Sequence, residues 1–250
     1  MVASHAARTV ENSAAYLVPH LRPGLSLLDV GCGPGSITVG LADQLAPGHV
    51  VGIDRSPEVL PTGPETARDN LTFTTGDVYA LDVDDATFDV VHAHQVLHHL
   101  TDPVAALREM ARVAKPGGLL AVREADYPAM VWWPESAALT RWREVFLAQA
   151  QANGVTMAAA RRLRGWANAA GLDDITLSTS TWLYADQQSA SWWGQSWRER
   201  ALESSFASRA LELDLLDQQG LDVISRGWDE WSRHPDAFFS ILHGELLARV

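Results

Sequence analysis

Between Leu27 and Asp54 the chain runs through an apolar stretch, a loop with glycine at every second position, a helix pattern from Ile37 to Leu45, and a second apolar stretch that ends in an acid. That order describes one βαβ unit, with a small-molecule site at the carboxyl ends of its strands. Gly31, Gly33 and Gly35 let the backbone turn sharply and approach a ligand with no Cβ in the way. Asp54, at the tip of the second strand, is placed to accept two hydrogen bonds from a ribose diol, and Arg55 shares that tip. Any nucleoside-containing cofactor meets this description.

Asp29 and the glycine spacing narrow the choice. A dinucleotide site of the G-x-G-x-x-G type needs its third glycine at position 36 and sets a pyrophosphate on the helix N-terminus. Position 36 is Ser, the third glycine comes one residue early, and Asp29 just before the loop would repel a pyrophosphate. An acid there suits a cofactor that carries an ammonium group. The stretch Leu28 to Gly35 resembles the first motif of the class I S-adenosylmethionine-dependent methyltransferases. The resemblance continues in order through Gly76-Asp77-Val78, through Phe88-Asp89-Val90-Val91-His92-Ala93-His94, and through Leu107 to Gly118. Within that class it is most similar to the subgroup that includes the ubiquinone and menaquinone biosynthesis methyltransferases. The resemblance implies S-adenosyl-L-methionine as cofactor, with Asp77 on the adenine amino group and the Val78 amide on a ring nitrogen. The plainer reading of Asp29 and Asp54 is a turn cap and a strand end, and that of Asp77 is an Asx turn after Gly76.

A chain of 250 residues with 47% hydrophobic content can bury a full core as a single α/β domain. The net charge of −12 disfavours nucleic acid and anionic membrane surfaces, since both need a basic face. Cys32 is the only cysteine, so no internal disulfide is possible and a reducing compartment is expected. It lies beside the cofactor loop and away from any recognisable base, which makes it a poor nucleophile. Met1 to Leu21 has no apolar core long enough for a signal peptide or a membrane span, so a cytoplasmic protein is expected.

The expected architecture is α/β: a Rossmann-like, doubly wound, mostly parallel sheet with an antiparallel last strand and a helical lid insertion. Residues 1–24 form an N-terminal helical cover, with a helix from His5 to His20. Residues 25–125 form the cofactor-binding core. Pro61, Gly63 and Pro64 interrupt the crossover after Asp54, so a helix is expected there only from about Glu65. Strands are expected at Leu71 to Thr75, Phe88 to Ala93 and Leu119 to Glu124, with a helix from Pro103 to Val113. Residues 126–250 form a substrate-side half, with helices at Pro134 to Gln151 and Met157 to Ala170, a strand at Ile175 to Leu183, and a closing strand at Phe238 to Val250. All ten tryptophans lie between Trp132 and Trp231, and the lid spans about 189–235. Most of Trp192, Trp193, Trp197, Trp228 and Trp231 would glue helices together, while some line a pocket for an aromatic or apolar acceptor.

The tip of the fourth strand faces the transferred methyl group in the resembled fold. His94 there is a candidate cofactor contact and a candidate general base, whereas His92, His98 and His99 read as core histidines. His94 and His98 stand four apart but lack a clean third ligand, so no metal is expected. At the tip of the fifth strand, Asp126 can take a proton or orient an amine and Tyr127 can hydrogen-bond, with a turn before Pro128 as the alternative. The reading is a methyltransferase acting on O, N or S of a small molecule, with its oligomeric state open. The rivals are a nicotinamide-dependent oxidoreductase and a non-catalytic cofactor-binding interaction protein.

Overall fold

The computed structural model describes residues 8–250, which fall into two compact units. The first comprises the chain up to Ala125 together with Ala159–Ser180 and His243–Val250; the second comprises Asp126–Ala158 and Thr181–Leu242. Among the described residues no helix is long and apolar enough to cross a membrane.

The first unit is built on the parallel strands β1 (Leu27–Val30), β2 (Val50–Asp54), β3 (Leu71–Thr75), β4 (Phe88–His94) and β5 (Ala114–Ala125). Their order is β3-β2-β1-β4-β5, and the final strand β8 (Phe238–Arg249) runs antiparallel to β5, with Arg123 opposite Glu245 and Ala125 opposite His243. Strand β7 (Asp173–Tyr184) pairs with β8. All four residues of β1 are buried, as a parallel sheet covered on both faces requires. Alternation divides the strands between two cores. Leu28, Val30, Val91 and Val122 pack with α3 (Pro103–Val113) and α5 (Leu163–Ala170). Leu27, Val90, Leu119 and Ala121 pack with α2 (Ser36–Leu45) and with Val10, Ala14 and Leu17.

Three expectations are corrected in this unit. No helix follows Glu65: the crossover is made of two 3-10 turns, Pro57–Val59 and Pro64–Thr66, each opened by a proline whose fixed φ starts a turn. Arg68 then pairs with Asp43 at 2.6 Å, and the Asn70 amide donates to the carbonyls of Ala42 and Gly48. The N-terminal segment is also broken. Helix α1 covers Val10–Ser13, closed by a reciprocal Thr9/Asn12 cap, and a 3-10 turn containing Pro19 covers Val18–His20. The first three residues of the expected helix, His5–Ala7, lie outside the described residues. Over Met157 to Ala170, only α5 is α-helical, preceded by a 3-10 turn at Ala160–Arg162.

In the second unit a short strand β6 (Val131–Trp133) pairs antiparallel with Phe238–Ser240. Around it lie α4 (Ala137–Ala152), α6 (Gln187–Glu203), α7 (Ser205–Glu212) and α8 (Gln218–Ser232). The core is aromatic: Trp142, Trp193, Trp197, Trp228, Trp231 and Phe239 are all buried, with Trp142 edge-on to both Trp197 and Trp228. Four of the five tryptophans singled out in the sequence are thus packing residues, and Trp192 is exposed. The helices approach closely at glycine, since a Cβ on Gly227 would meet Ala138 Cβ at 2.2 Å.

Candidate active site

The glycine loop leaves β1 at its carboxyl end, and Gly31, Gly33 and Gly35 all take positive φ (69°, 54° and 78°). A Cβ at Gly31 or Gly35 would strike Val96 or Phe73, whereas one at Gly33 would meet nothing within 4 Å. Gly33 is therefore the point at which a ligand can lie against bare backbone. Asp54 reaches the same point, because its Oδ2 accepts the Gly33 amide at 2.9 Å and its Oδ1 accepts the Ser56 amide at 3.0 Å. The carboxylate braces the loop and keeps further lone pairs for a hydroxyl donor.

Asp29 is more deeply placed than the sequence suggested. It is 2% exposed, one oxygen accepts the Thr38 hydroxyl at 2.6 Å, and the other accepts His92 Nδ1–H at 2.7 Å. Its charge acts from inside the sheet, through a pair with the residue directly across from it in β4.

Strand alternation carries that face onward to a polar cluster at the carboxyl ends of β4 and β5. His94 is buried opposite Arg123, and its ring stacks on His243 at 6.3 Å. Burial, then the charges of Arg8 and Arg123, hold His94 well below the usual histidine range. Gln95, in a left-handed conformation at φ 55°, accepts from the Arg8 guanidinium at 2.7 Å and donates to His243 Nε2 at 2.8 Å. Arg123 donates to the Ser180 hydroxyl and faces Glu245 at 3.4 Å, which itself accepts from Ser178 and Ser180. Its guanidinium is pulled down to about 10 by burial. Tyr16 is half-buried nearby, and its hydroxyl is buried with no hydrogen-bond partner among the described residues.

Other sequence candidates fall in less constrained places. Asp77 is exposed and accepts the Tyr79 amide at 3.0 Å, an Asx turn, while Val78 packs into the core. Arg55 is exposed. Asp126 and Tyr127 open the second unit: Asp126 is buried with its backbone bridged to Ala158, and the Tyr127 ring meets Phe146 edge-on at 5.2 Å. Burial and the carboxylates of Asp29 and Asp54 push the Cys32 thiol up, which removes it as a nucleophile at neutral pH. His98 is a core histidine as read, donating to Glu124, whose other oxygen accepts the Val96 and Leu97 amides. His99 is exposed, contrary to expectation, because the 3-10 turn Leu97–His99 turns it outward. Among the described residues no three His, Cys, Asp or Glu are arranged to hold a metal ion.

Residues 21–176 match the family described as a methyltransferase domain. An uncharacterised methyltransferase of Schizosaccharomyces pombe is 35% identical over 260 residues, covering 98% of this chain and 91% of that protein. The chain belongs to the class I S-adenosylmethionine-dependent methyltransferases. A demethylmenaquinone methyltransferase of Staphylococcus aureus is 36% identical to this methyltransferase over 122 residues, 48% of this chain and 51% of that one. Among solved structures, phosphoethanolamine N-methyltransferase 2 of Haemonchus contortus, bound to S-adenosylhomocysteine, shares the fold with a TM-score of 0.54 at 18% identity. That alignment spans 92% of this methyltransferase and 49% of the other chain. Gln95, His243 and Glu245 escaped the sequence reading of the site. For His243 and Glu245 the signal was two polar residues at alternate positions of the closing strand, and Gln95 carried none.

Proposed function

We propose that this methyltransferase transfers the methyl of S-adenosyl-L-methionine to an O, N or S atom of a small aromatic or apolar molecule. The observation that carries the reading is the bare backbone at Gly33 with the Asp54 carboxylate hydrogen-bonded beside it. Asp54 takes the ribose hydroxyls, Gly31 to Gly35 admit the cofactor to the backbone, and Asp77 with the Val78 amide receives the adenine edge. Asp29 favours the ammonium end through its charge, and Arg55 flanks the ribose side. The cofactor supplies a methyl already activated on a sulfonium, so orientation of the acceptor lone pair in a dry site supplies much of the rate.

His94 accepts a hydrogen bond from the acceptor atom and orients it, while Asp126 and Tyr127 belong to acceptor recognition. The buried tryptophans and phenylalanines of the second unit favour an aromatic or apolar acceptor there.

Titration calorimetry tests the cofactor assignment. S-adenosylmethionine and S-adenosylhomocysteine should bind and NAD should not, and Asp54→Ala should weaken the first two by ~1–3 kcal/mol through loss of charge-assisted bonds. Tight NAD binding, or an Asp54→Ala protein with undiminished affinity, would remove the assignment.

A further inference from the structure

Helix α6 buries Ala190, Trp193, Gly194, Trp197 and Ala201, and Arg200 stands at the margin of that face, three residues after Trp197. A guanidinium in such a place ordinarily has an acid or a carbonyl to meet. Several arginines of the second unit have such a partner. Arg141, Arg209 and Arg233 each hold a carboxylate, and Arg143 donates to the Met130 carbonyl. Arg200 is half-buried and placed otherwise: its Cζ lies over the Trp197 ring, 4.6 Å from the centroid, and its guanidinium makes no hydrogen bond or ion pair with the described residues.

Its surroundings are aromatic and rich in donors. Phe146 meets Trp197 edge-on at 5.9 Å, and Tyr184 stacks on Trp193 at 4.4 Å. Tyr127 and Tyr184 are the groups whose charge would act on Arg200, and burial pulls its guanidinium below the ordinary value. On the same helix face the indole Nε1–H groups of Trp193 and Trp197 are buried with no acceptor. One such indole could rest its N–H on a neighbouring ring face. A half-buried cation three and seven residues away from two such donors makes a face short of acceptors, and the guanidinium over the ring can present a two-pronged donor edge.

We propose that Arg200 recognises a carboxylate, and that the methyl acceptor is an aromatic acid seated beside Arg200 at the margin of the aromatic cluster, where Phe146 is half-buried. The substrate half of this statement rests on the reading that the second unit receives the acceptor. A two-oxygen anion matches the guanidinium fork, and the flat aromatic body matches the rings around it.

The test is calorimetric and uses the full chain without cofactor, so that it is read independently of methyl transfer. 2-Naphthoate and its neutral isostere 2-naphthamide are titrated into the wild-type protein, Arg200→Gln and Arg200→Lys. The acid should bind the wild type at least ~10-fold more tightly than the amide. Arg200→Gln should weaken acid binding by ~10–100-fold and leave the amide within twofold, and Arg200→Lys should restore part of the loss. Equal binding of acid and amide to the wild type overturns the proposal without any variant, as does failure of the acid to bind at millimolar concentration. A folded Arg200→Gln protein that keeps full affinity for the acid overturns it too. Failure of the methyltransferase reading would show elsewhere, as loss of S-adenosylhomocysteine binding with acid binding intact.

Discussion

His94 is neutral at physiological pH because burial and the neighbouring cations Arg8 and Arg123 oppose its protonation. The same cations oppose the imidazolium that full proton abstraction would create. His94 therefore serves better as a hydrogen-bond acceptor that orients a hydroxyl than as a strong base. With a hydroxyl acceptor, His94→Gln should lower kcat by about 10²-fold, the lower end of general-base effects, and leave cofactor affinity unchanged. The wild-type rate should stay level as pH falls through 6.5, since the folded group titrates well below that ordinary value. Stability shows the other side of the shift. Below pH 6.5 the unfolded chain binds a proton at His94 that the folded chain does not, so stability falls as pH drops from about 6.5 toward the lowered pKa. Urea unfolding between pH 5 and 7.5 should show that fall weakened in His94→Gln; an unaltered slope, or a rate that drops at pH 6.5, would contradict the assignment. Asp29 shows why a residue's address can be legible while its contacts are not. Its place before the glycine loop follows from the chain, but its pairing with His92 depends on the β1–β4 register.

At the scale of elements, the N-terminal segment has too little helix to hold itself in place. A four-residue helix is far below the length at which an isolated helix is stable, roughly 12–15 residues. What holds it is tertiary: Val10, Ala14 and Leu17 are buried against α2 and the sheet, and Arg8 bonds Gln95. Because Arg8 reaches the β4 tip, cofactor binding should be felt here. Amide exchange at Ala14, Leu17 and Leu21, whose N–H groups are bonded within the segment, should slow when S-adenosylhomocysteine is added. Equal exchange with and without it would mean a permanently docked segment. The helix-period pattern from His5 to His20 was visible in the sequence, but Pro19 and the Thr9/Asn12 cap cut it into shorter turns. The crossover after Asp54 failed for the same reason more strongly, since its prolines open 3-10 turns and no α-helical stretch follows. Elements with one clean period and one clean cap, such as α3 behind the Asp102 N-cap and Pro103, were legible to the residue.

For the whole molecule, each unit carries its own core, aliphatic in the first and aromatic in the second. Trp142, 1% exposed, touches Phe146, Trp197, Trp228 and Phe239. Trp142→Ala should cost about 3–5 kcal/mol in urea unfolding followed by tryptophan fluorescence, while S-adenosylhomocysteine affinity, read at 1 M urea or below, stays within twofold. A loss under 1 kcal/mol would mean the aromatic cluster is loosely packed. The βαβ start, the glycine loop, the acids at the strand tips and the existence of a closing strand were determined by the sequence alone, while its antiparallel direction was an expectation from the family resemblance. They depend on short-range rules, namely period, proline and glycine backbone limits, and polarity at strand ends. The cluster of His94, Gln95, Arg123, His243 and Glu245, and the placing of the Arg200 guanidinium over Trp197, were decided only by tertiary structure. Their members are brought together by strand register and helix packing across long stretches of chain, and the lowered pKa values of His94 and Arg123 come from a burial that no local pattern encodes.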